Sequence, residues 1–213
     1  MQVNDYLLLG SVAALTFLGN NIGLAQSEAP PPQQISGGHA EFKPLLRIPS
    51  TATPSDGTAD QTDIPFPLPT IPGHSAISIV PKSPAFVSHG SFFFPLSAQS
   101  RPAQDGDFLL LGEIVYSYPQ DNLTIVFSDF RLDTNGSVFA KVTVNGNEPF
   151  GSETELLTSN SIKSRATAKV FRETGKEGIS AAFATAVNSL FNTTVLTPGE
   201  GLADLRLDAR IAK

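Results

Sequence analysis

Cysteine is absent from the 213-residue sequence. Without cysteine the protein cannot form disulfides, thiolate metal sites or cysteine-held iron–sulfur clusters, and it cannot use a cysteine nucleophile. The stability of the fold must therefore come from packing and hydrogen bonds.

Positive charge is also scarce. Lysine and arginine total 14 against 20 aspartate and glutamate residues, which gives a net charge of −6. Nucleic acids and anionic membranes attract proteins that present a concentrated positive field. The composition therefore predicts no nucleic-acid partner.

The first 25 residues are typical of a secretion signal. Leu7 to Leu18 form a mainly apolar stretch that is too short to span a bilayer comfortably, and Gly23 and Ala25 are the small residues of a cleavage site. We predict a signal peptide over 1–25, and a secreted or periplasmic product without a transmembrane anchor. Because no lysine or arginine precedes the apolar stretch, a buried N-terminal helix stays open as the alternative.

The next region, 26–84, is rich in proline. Prolines alternate with other residues at Pro65, Pro67 and Pro69. Proline cannot sustain helical or central-strand hydrogen bonding, so we predict an extended or disordered linker. As an alternative function, Phe66 and Leu68 between these prolines would bind an aromatic-lined groove.

From residue 85 to 213 the hydrophobic pattern predicts a β-rich globular domain. Strand candidates with alternating or apolar patterns are 91–96, 108–118, 123–132, 138–144, 154–158, 164–172 and 205–211. Turn signals separate them, including Asn135-Gly136, and an irregular phase near Ser128-Asp129 predicts a β-bulge. Gly112 marks a bulge or a close backbone contact.

One segment changes to helical periodicity. Between Gly178 and Asn192 the apolar residues recur at helical spacing and form one stripe. The fold class is therefore α+β, mainly β: a twisted antiparallel meander of about six or seven strands with one amphipathic helix packed on a face.

No catalytic or metal-binding residue is predicted. The histidines His39, His74 and His89 lie in or beside the proline-rich region, outside the predicted strands and helix that would hold them rigidly. A hydrolase would need clustered titratable groups in a cleft, and the sequence offers no rigid set of them. We therefore predict a non-enzymatic protein, with a hydrolase as a remaining alternative.

A ligand pocket is one hypothesis for the aromatic residues. Tyr116, Tyr118 and the Phe92–Phe94 cluster would form its walls, and His89 would be a polar contact or an axial ligand. Such a pocket would suit a small apolar ligand or haem. Aromatic residues at strand spacing are also common in an ordinary core.

The basic run Lys163, Arg165 and Lys169 is the second hypothesis. In an extended chain these side chains would project from one face and could bind an anionic partner. The alternative is an edge strand that lysine and arginine protect from aggregation.

These observations predict an exported, non-enzymatic domain that has a binding or structural role in the cell envelope. The expected partner is an envelope protein or a glycan, and no cofactor is predicted. A carrier of a small apolar ligand or haem is the alternative.

Overall fold

The computed structural model describes residues 34–45, 66–69, 78–100, 107–167 and 169–212. The predicted signal peptide, 1–25, and His74 lie outside these residues. Within the described ranges, no helix is long and apolar enough to cross a membrane.

The described part of the chain contains eleven strands, one α-helix and one short 3₁₀ helix, Pro119–Asp121. The first five strands are β1 (Ile35–Pro44), β2 (Ser78–Lys82), β3 (Phe86–Ser88), β4 (Ser91–Pro95) and β5 (Phe108–Leu109). They are followed by β6 (Glu113–Tyr118), β7 (Leu123–Leu132), β8 (Val138–Val144), β9 (Thr154–Ala166), β10 (Val170–Ile179), α1 (Ala181–Leu190) and β11 (Gly201–Ile211).

The strands form one antiparallel sheet. Its order is β2-β6-β7-β8-β9-β10-β11-β1-β4-β3, with β5 paired to β7 at the side. The run from β6 to β11 confirms the predicted meander. The two ends of this order, β2 and β3, contact each other, so the sheet is nearly closed around its core.

The predicted number of six or seven strands is wrong. The additional strands include β1 and β2, which lie in the region 26–84 predicted as a linker. In β1, Ala40 and Phe42 point into the core while His39 and Glu41 point outward, and its only proline is the terminal Pro44. Proline is compatible with such a strand at its end: Pro44 is the last residue of β1, and Pro95, which is opposite His39, is the last residue of β4.

The linker prediction also fails at residues 66–69, which we call the inserted segment. Phe66 and Leu68 are fully buried. The Phe66 ring lies 4.9 Å from that of Phe42 and 5.3 Å from that of Phe92. The Tyr116 hydroxyl accepts from the Leu68 N–H at 3.2 Å and donates to the Leu68 carbonyl at 2.9 Å. Phe66 and Leu68 therefore pack into an aromatic surface of the protein's own core.

Several local predictions are confirmed. The register of β7 against β8 shifts between Ser128 and Arg131, and Asp129 has a φ of 51°, as expected of a bulge. Gly112 has a φ of 117°, and a Cβ atom there would collide with Ala85. Gly112 therefore marks a close contact.

The predicted helix is confirmed as α1. Ser180 begins it, because its hydroxyl accepts from the Phe183 N–H at 3.0 Å. Phe183, Ala184 and Val187 form the buried stripe. The two weak strand candidates, 154–158 and 164–172, are instead parts of the long β9–β10 hairpin.

Candidate functional site

The two tyrosines predicted to line a ligand pocket lie in the core. Tyr116 and Tyr118 are fully buried, with their ring centroids 6.5 Å apart. Burial raises the pKa of both phenols, and the neighbouring Tyr118 raises that of Tyr116 further. The phenolate that would bind a metal is therefore disfavoured at both positions.

His89, the predicted polar contact of the pocket, lies elsewhere. It occupies the turn between β3 and β4, where it is exposed and its Nδ1 is 2.9 Å from the Ser88 hydroxyl. Of the neighbouring phenylalanines, Phe92 and Phe94 belong to the core and Phe93 faces the other side of β4. The structure therefore does not bring His89 and the two tyrosines to one accessible surface, and their ligand-binding role stays a prediction.

The basic run lies on the β9–β10 hairpin. Lys163 and Arg165 share the exposed face of β9, whereas Lys169 lies in the turn that follows. Arg165 stands directly opposite Arg172 of β10. Like charges in this position repel each other, so this pair does not stabilise the hairpin.

Register extends this basic surface across four strands. Arg172 is opposite Asp208 of β11, which is opposite His39 of β1. Two residues further along β1, on the same face, Glu41 is opposite Arg206 of β11. The cations that this outer face carries are Lys43, Lys163, Arg165, Arg172, Lys176, Arg206 and Arg210. Its anions are Glu41, Asp204 and Asp208, so seven cations against three anions leave it with four net positive charges.

One carboxylate organises part of this face. Asp208 accepts from Arg172 Nε at 2.7 Å and from Arg206 Nε at 2.9 Å. Lys163 and Arg165 form no ion pair with any described residue. Their charges remain available to an anionic ligand.

Aromatic side chains continue the same face on β1, β4 and β3. The His39 ring lies 5.7 Å from that of Phe93, which stacks on Phe86 at 5.1 Å and 10°. Phe86 is 49% exposed. We call this surface, from the hairpin cations to Phe86, the basic–aromatic face.

The expectation that no histidine is held rigidly is wrong for His39. It lies in β1, hydrogen-bonded between β11 and β4. The alternation of His39, Glu41 and Lys43 with Ala40 and Phe42 was a signal that could have revealed this strand.

Two buried acids were missed by the sequence analysis. Glu173 and Glu177 of β10 are 1% and 0% exposed. The carboxylate oxygens of Glu173 have no hydrogen-bond partner among the described residues, and those of Glu177 lie beside the Ser159 hydroxyl. Burial raises the pKa of Glu173 to about 7, with a smaller contribution from Asp133. Burial also raises the pKa of Glu177 to about 8; Ser159 lowers it in part, and Glu173 and Asp133 raise it further.

A groove of about 600 Å³ runs between α1 and the residues that precede and begin β9. Its walls include Phe150, Ala186 and Leu190 together with the acids Glu153 and Glu155. The residues lining it include no histidine, tyrosine, lysine or arginine. This groove therefore suits an anionic ligand less well than the basic–aromatic face.

Metal ligands do not cluster in the described residues: no three histidine, aspartate or glutamate side chains are arranged to hold an ion there. A metal ion that is carried inside a larger organic molecule is already coordinated by that molecule, so one side chain of the protein is enough to bind it. Among the described histidines, His39 is the one held on a strand.

Comparison with known proteins finds similarity in structure alone. No family model and no curated protein matches the sequence. The C-terminal domain of HtaA from Corynebacterium glutamicum matches with a TM-score of 0.53 and 13% identity, over 84% of this chain and 99% of that one. The heme binding protein HtaB from the same organism matches with a TM-score of 0.53 and 13% identity, over 84% and 96%.

The chain shares the fold of HtaA and HtaB. At this identity the likeness concerns the fold and transfers no residue roles.

Proposed function

We propose that this protein is a non-enzymatic carrier of a planar, apolar ligand that bears carboxylates, of the class to which haem belongs, and that it binds this ligand on the basic–aromatic face. The observation that carries the proposal is the row His39, Phe93 and Phe86 beside the cations of β10 and β11. HtaB, a heme binding protein of the same fold, supports it.

The residues of this face fit such a ligand in three ways. Phe93 and the half-exposed Phe86 offer a flat apolar surface to a planar ring system. Asp208 holds Arg172 and Arg206 through their Nε atoms, and the terminal guanidinium nitrogens of both can still donate to carboxylates of a ligand. His39 offers an imidazole, a common protein ligand of haem iron.

Export is the other part of the proposal. The signal-like residues 1–25 support a carrier that works outside the cytoplasm, as a secreted or periplasmic protein.

The test is a haem titration followed by the Soret absorbance of the protein-bound form. We expect His39→Ala to weaken binding by about tenfold or more, because the iron loses its protein ligand. His89→Ala is the matched control: it removes an exposed imidazole outside this row and should leave the titration unchanged. Circular dichroism of both variants checks that they fold.

Two results would contradict this assignment. If the addition of wild-type protein leaves the Soret spectrum of haem unchanged, the carrier proposal fails. If His89→Ala abolishes binding while His39→Ala does not, the ligand binds at the β3–β4 turn instead.

A second candidate function rests on the repulsive pair Arg165 and Arg172. With Lys163 and Lys169 it would make the hairpin a docking surface for an anionic envelope molecule. The double variant Lys163→Gln/Arg165→Gln separates the two functions. It should leave haem affinity within about twofold if the hairpin serves another partner, and weaken it if these cations bind the ligand.

A further inference from the structure

Glu173 and Glu177 point into an apolar part of the interior. On β10 they flank Gly175, and the three residues face the same side of the sheet. Their partners on β11 are Leu207, Leu205 and Ala203, all buried. Their partners on β9 are Ser164, Ile162 and Ser159. Neither neighbouring strand offers a charged group to the two carboxyls.

Gly175 makes room for one of these carboxyls. A Cβ atom at this glycine would lie 2.6 Å from Glu177 Oε1 and 2.8 Å from the Ser159 hydroxyl oxygen. The Glu177 side chain therefore folds back over its own strand, toward Glu173. A larger residue at 175 would compete with the carboxyl for this space.

The turn between β7 and β8 covers the same place. Gly136 approaches β9 so closely that a Cβ there would be 2.6 Å from Ser159 Cβ. Asp133 anchors the turn, because its Oδ1 accepts from the N–H groups of Asn135 at 2.9 Å and Ser137 at 2.8 Å. Its negative charge also acts on both buried glutamates.

No described cation balances these acids. The charged neighbours along β10, Arg172 and Lys176, point to the opposite face of the sheet. Ionised carboxylates in such surroundings are strongly disfavoured unless they are paired or hydrogen-bonded. Protons are therefore what allow the two side chains to stay inside.

We propose that Glu173 and Glu177 form an internal proton-binding site that holds the β9–β10 hairpin against the β7–β8 turn, and that loss of these protons releases the contact. The site is independent of any ligand on the outer face. Its titratable groups are the two glutamates and Asp133, since β11 contributes only apolar side chains and β9 contributes serine and isoleucine.

The direction of the pH effect follows from the raised pKa values. An unfolded glutamate has a pKa of 4.5, whereas Glu173 and Glu177 have values of about 7 and about 8 in the folded protein. Between pH 4.5 and 8 the folded state therefore binds more protons than the unfolded state. The stability that these two glutamates contribute is greatest below this window, falls as the pH rises through it, and no longer changes above it.

The experiment measures denaturant unfolding and amide hydrogen exchange from pH 5.5 to pH 9, with exchange corrected for its intrinsic pH dependence. In the wild type the unfolding equilibrium constant should rise by up to about tenfold per pH unit for each glutamate. Protection of the β9 and β10 amides should fall with it. Glu173→Gln/Glu177→Gln should flatten both profiles, while Glu113→Gln on β6 should not.

The double variant shows whether Glu173 and Glu177 are the groups whose titration changes the stability. Equal pH profiles for the wild type and the double variant would overturn the proposal, because the glutamates would then not be the groups that titrate. If the double variant fails to fold, the two single variants are compared, and each should remove about half of the wild-type slope. A slope unchanged in both would equally overturn it.

Discussion

Gly38 is a residue whose absent side chain lets two strands meet. It has a φ of 140°, and a Cβ atom there would collide with the backbone carbonyl oxygen of Asp208. Backbone atoms cannot move aside as the end of a flexible side chain can. This position thus fixes the distance between β1 and β11, and with it the place of His39.

We expect Gly38→Ala to lower the free energy of unfolding by about 3 kcal/mol, because it adds a clash with the backbone to an unfavourable φ. The adjacent Gly37 is the matched control: its φ is 149°, but a Cβ there would touch nothing within 4 Å. Gly37→Ala should cost only about 1 kcal/mol. Urea unfolding of both variants measures the difference, and equal losses would refute the close-contact argument.

Single residues of the site were only partly predictable from the sequence. Lys163 and Arg165 stand out because they alternate in a short run. The register of β9 against β10 places these two on one side of the strand, whereas Lys169 lies in the turn. Glu173 and Glu177 do not stand out, because an acid on a strand is normally exposed and neither sequence neighbour indicates which face is buried. Only their pairing with Leu207 and Ala203 shows it.

At the scale of elements, the inserted segment depends on one phenol. Tyr116 provides both hydrogen bonds to the Leu68 backbone, at a place that is fully buried. A buried peptide group without a partner is costly. The segment is therefore part of the core despite its linker-like composition.

We expect Tyr116→Phe to destabilise the protein by about 1 to 3 kcal/mol, since the Leu68 N–H and carbonyl would lose their partner while the ring stays. Thermal or urea unfolding measures this. Limited proteolysis should detect faster cleavage around residues 66–69. Unchanged stability would mean that water replaces the hydroxyl.

Elements were predictable where hydrophobic alternation is regular. The strands β6, β7 and β8 and the helix α1 follow from their apolar periods. β1 was not predicted, because its outward-facing residues differ in chemical type, its glycines weaken strand propensity and prolines surround it. The β9–β10 hairpin was underestimated because much of it is exposed and therefore lacks an apolar face.

At the scale of the whole molecule, the domain begins earlier than its composition suggests. β1 lies between β11 and β4, and β2 pairs with β6. A fragment that starts at residue 85, the predicted domain boundary, would lack both strands and the inserted segment. Its sheet would keep unpaired edges and an unfilled core.

We therefore expect a fragment of residues 34–213 to unfold cooperatively and a fragment of residues 85–213 to lack a cooperative transition, because the shorter one loses a central strand. Circular dichroism with urea unfolding compares them. Cooperative unfolding of the shorter fragment would show that β1 is dispensable.

The basic–aromatic face could not be predicted as a unit. His39, Phe93, Arg172 and Arg206 are distant in the sequence, and only the register of β10, β11, β1 and β4 brings them together. No local pattern contains that register.

The position of β1 also determines when the molecule can fold. Ile35, at the start of the described chain, pairs with Ile211 near its end. Such long-range contacts close large loops, which slows folding and raises the contact order. During synthesis β1 lacks this partner until β11 has left the ribosome, so the sheet cannot be completed before then.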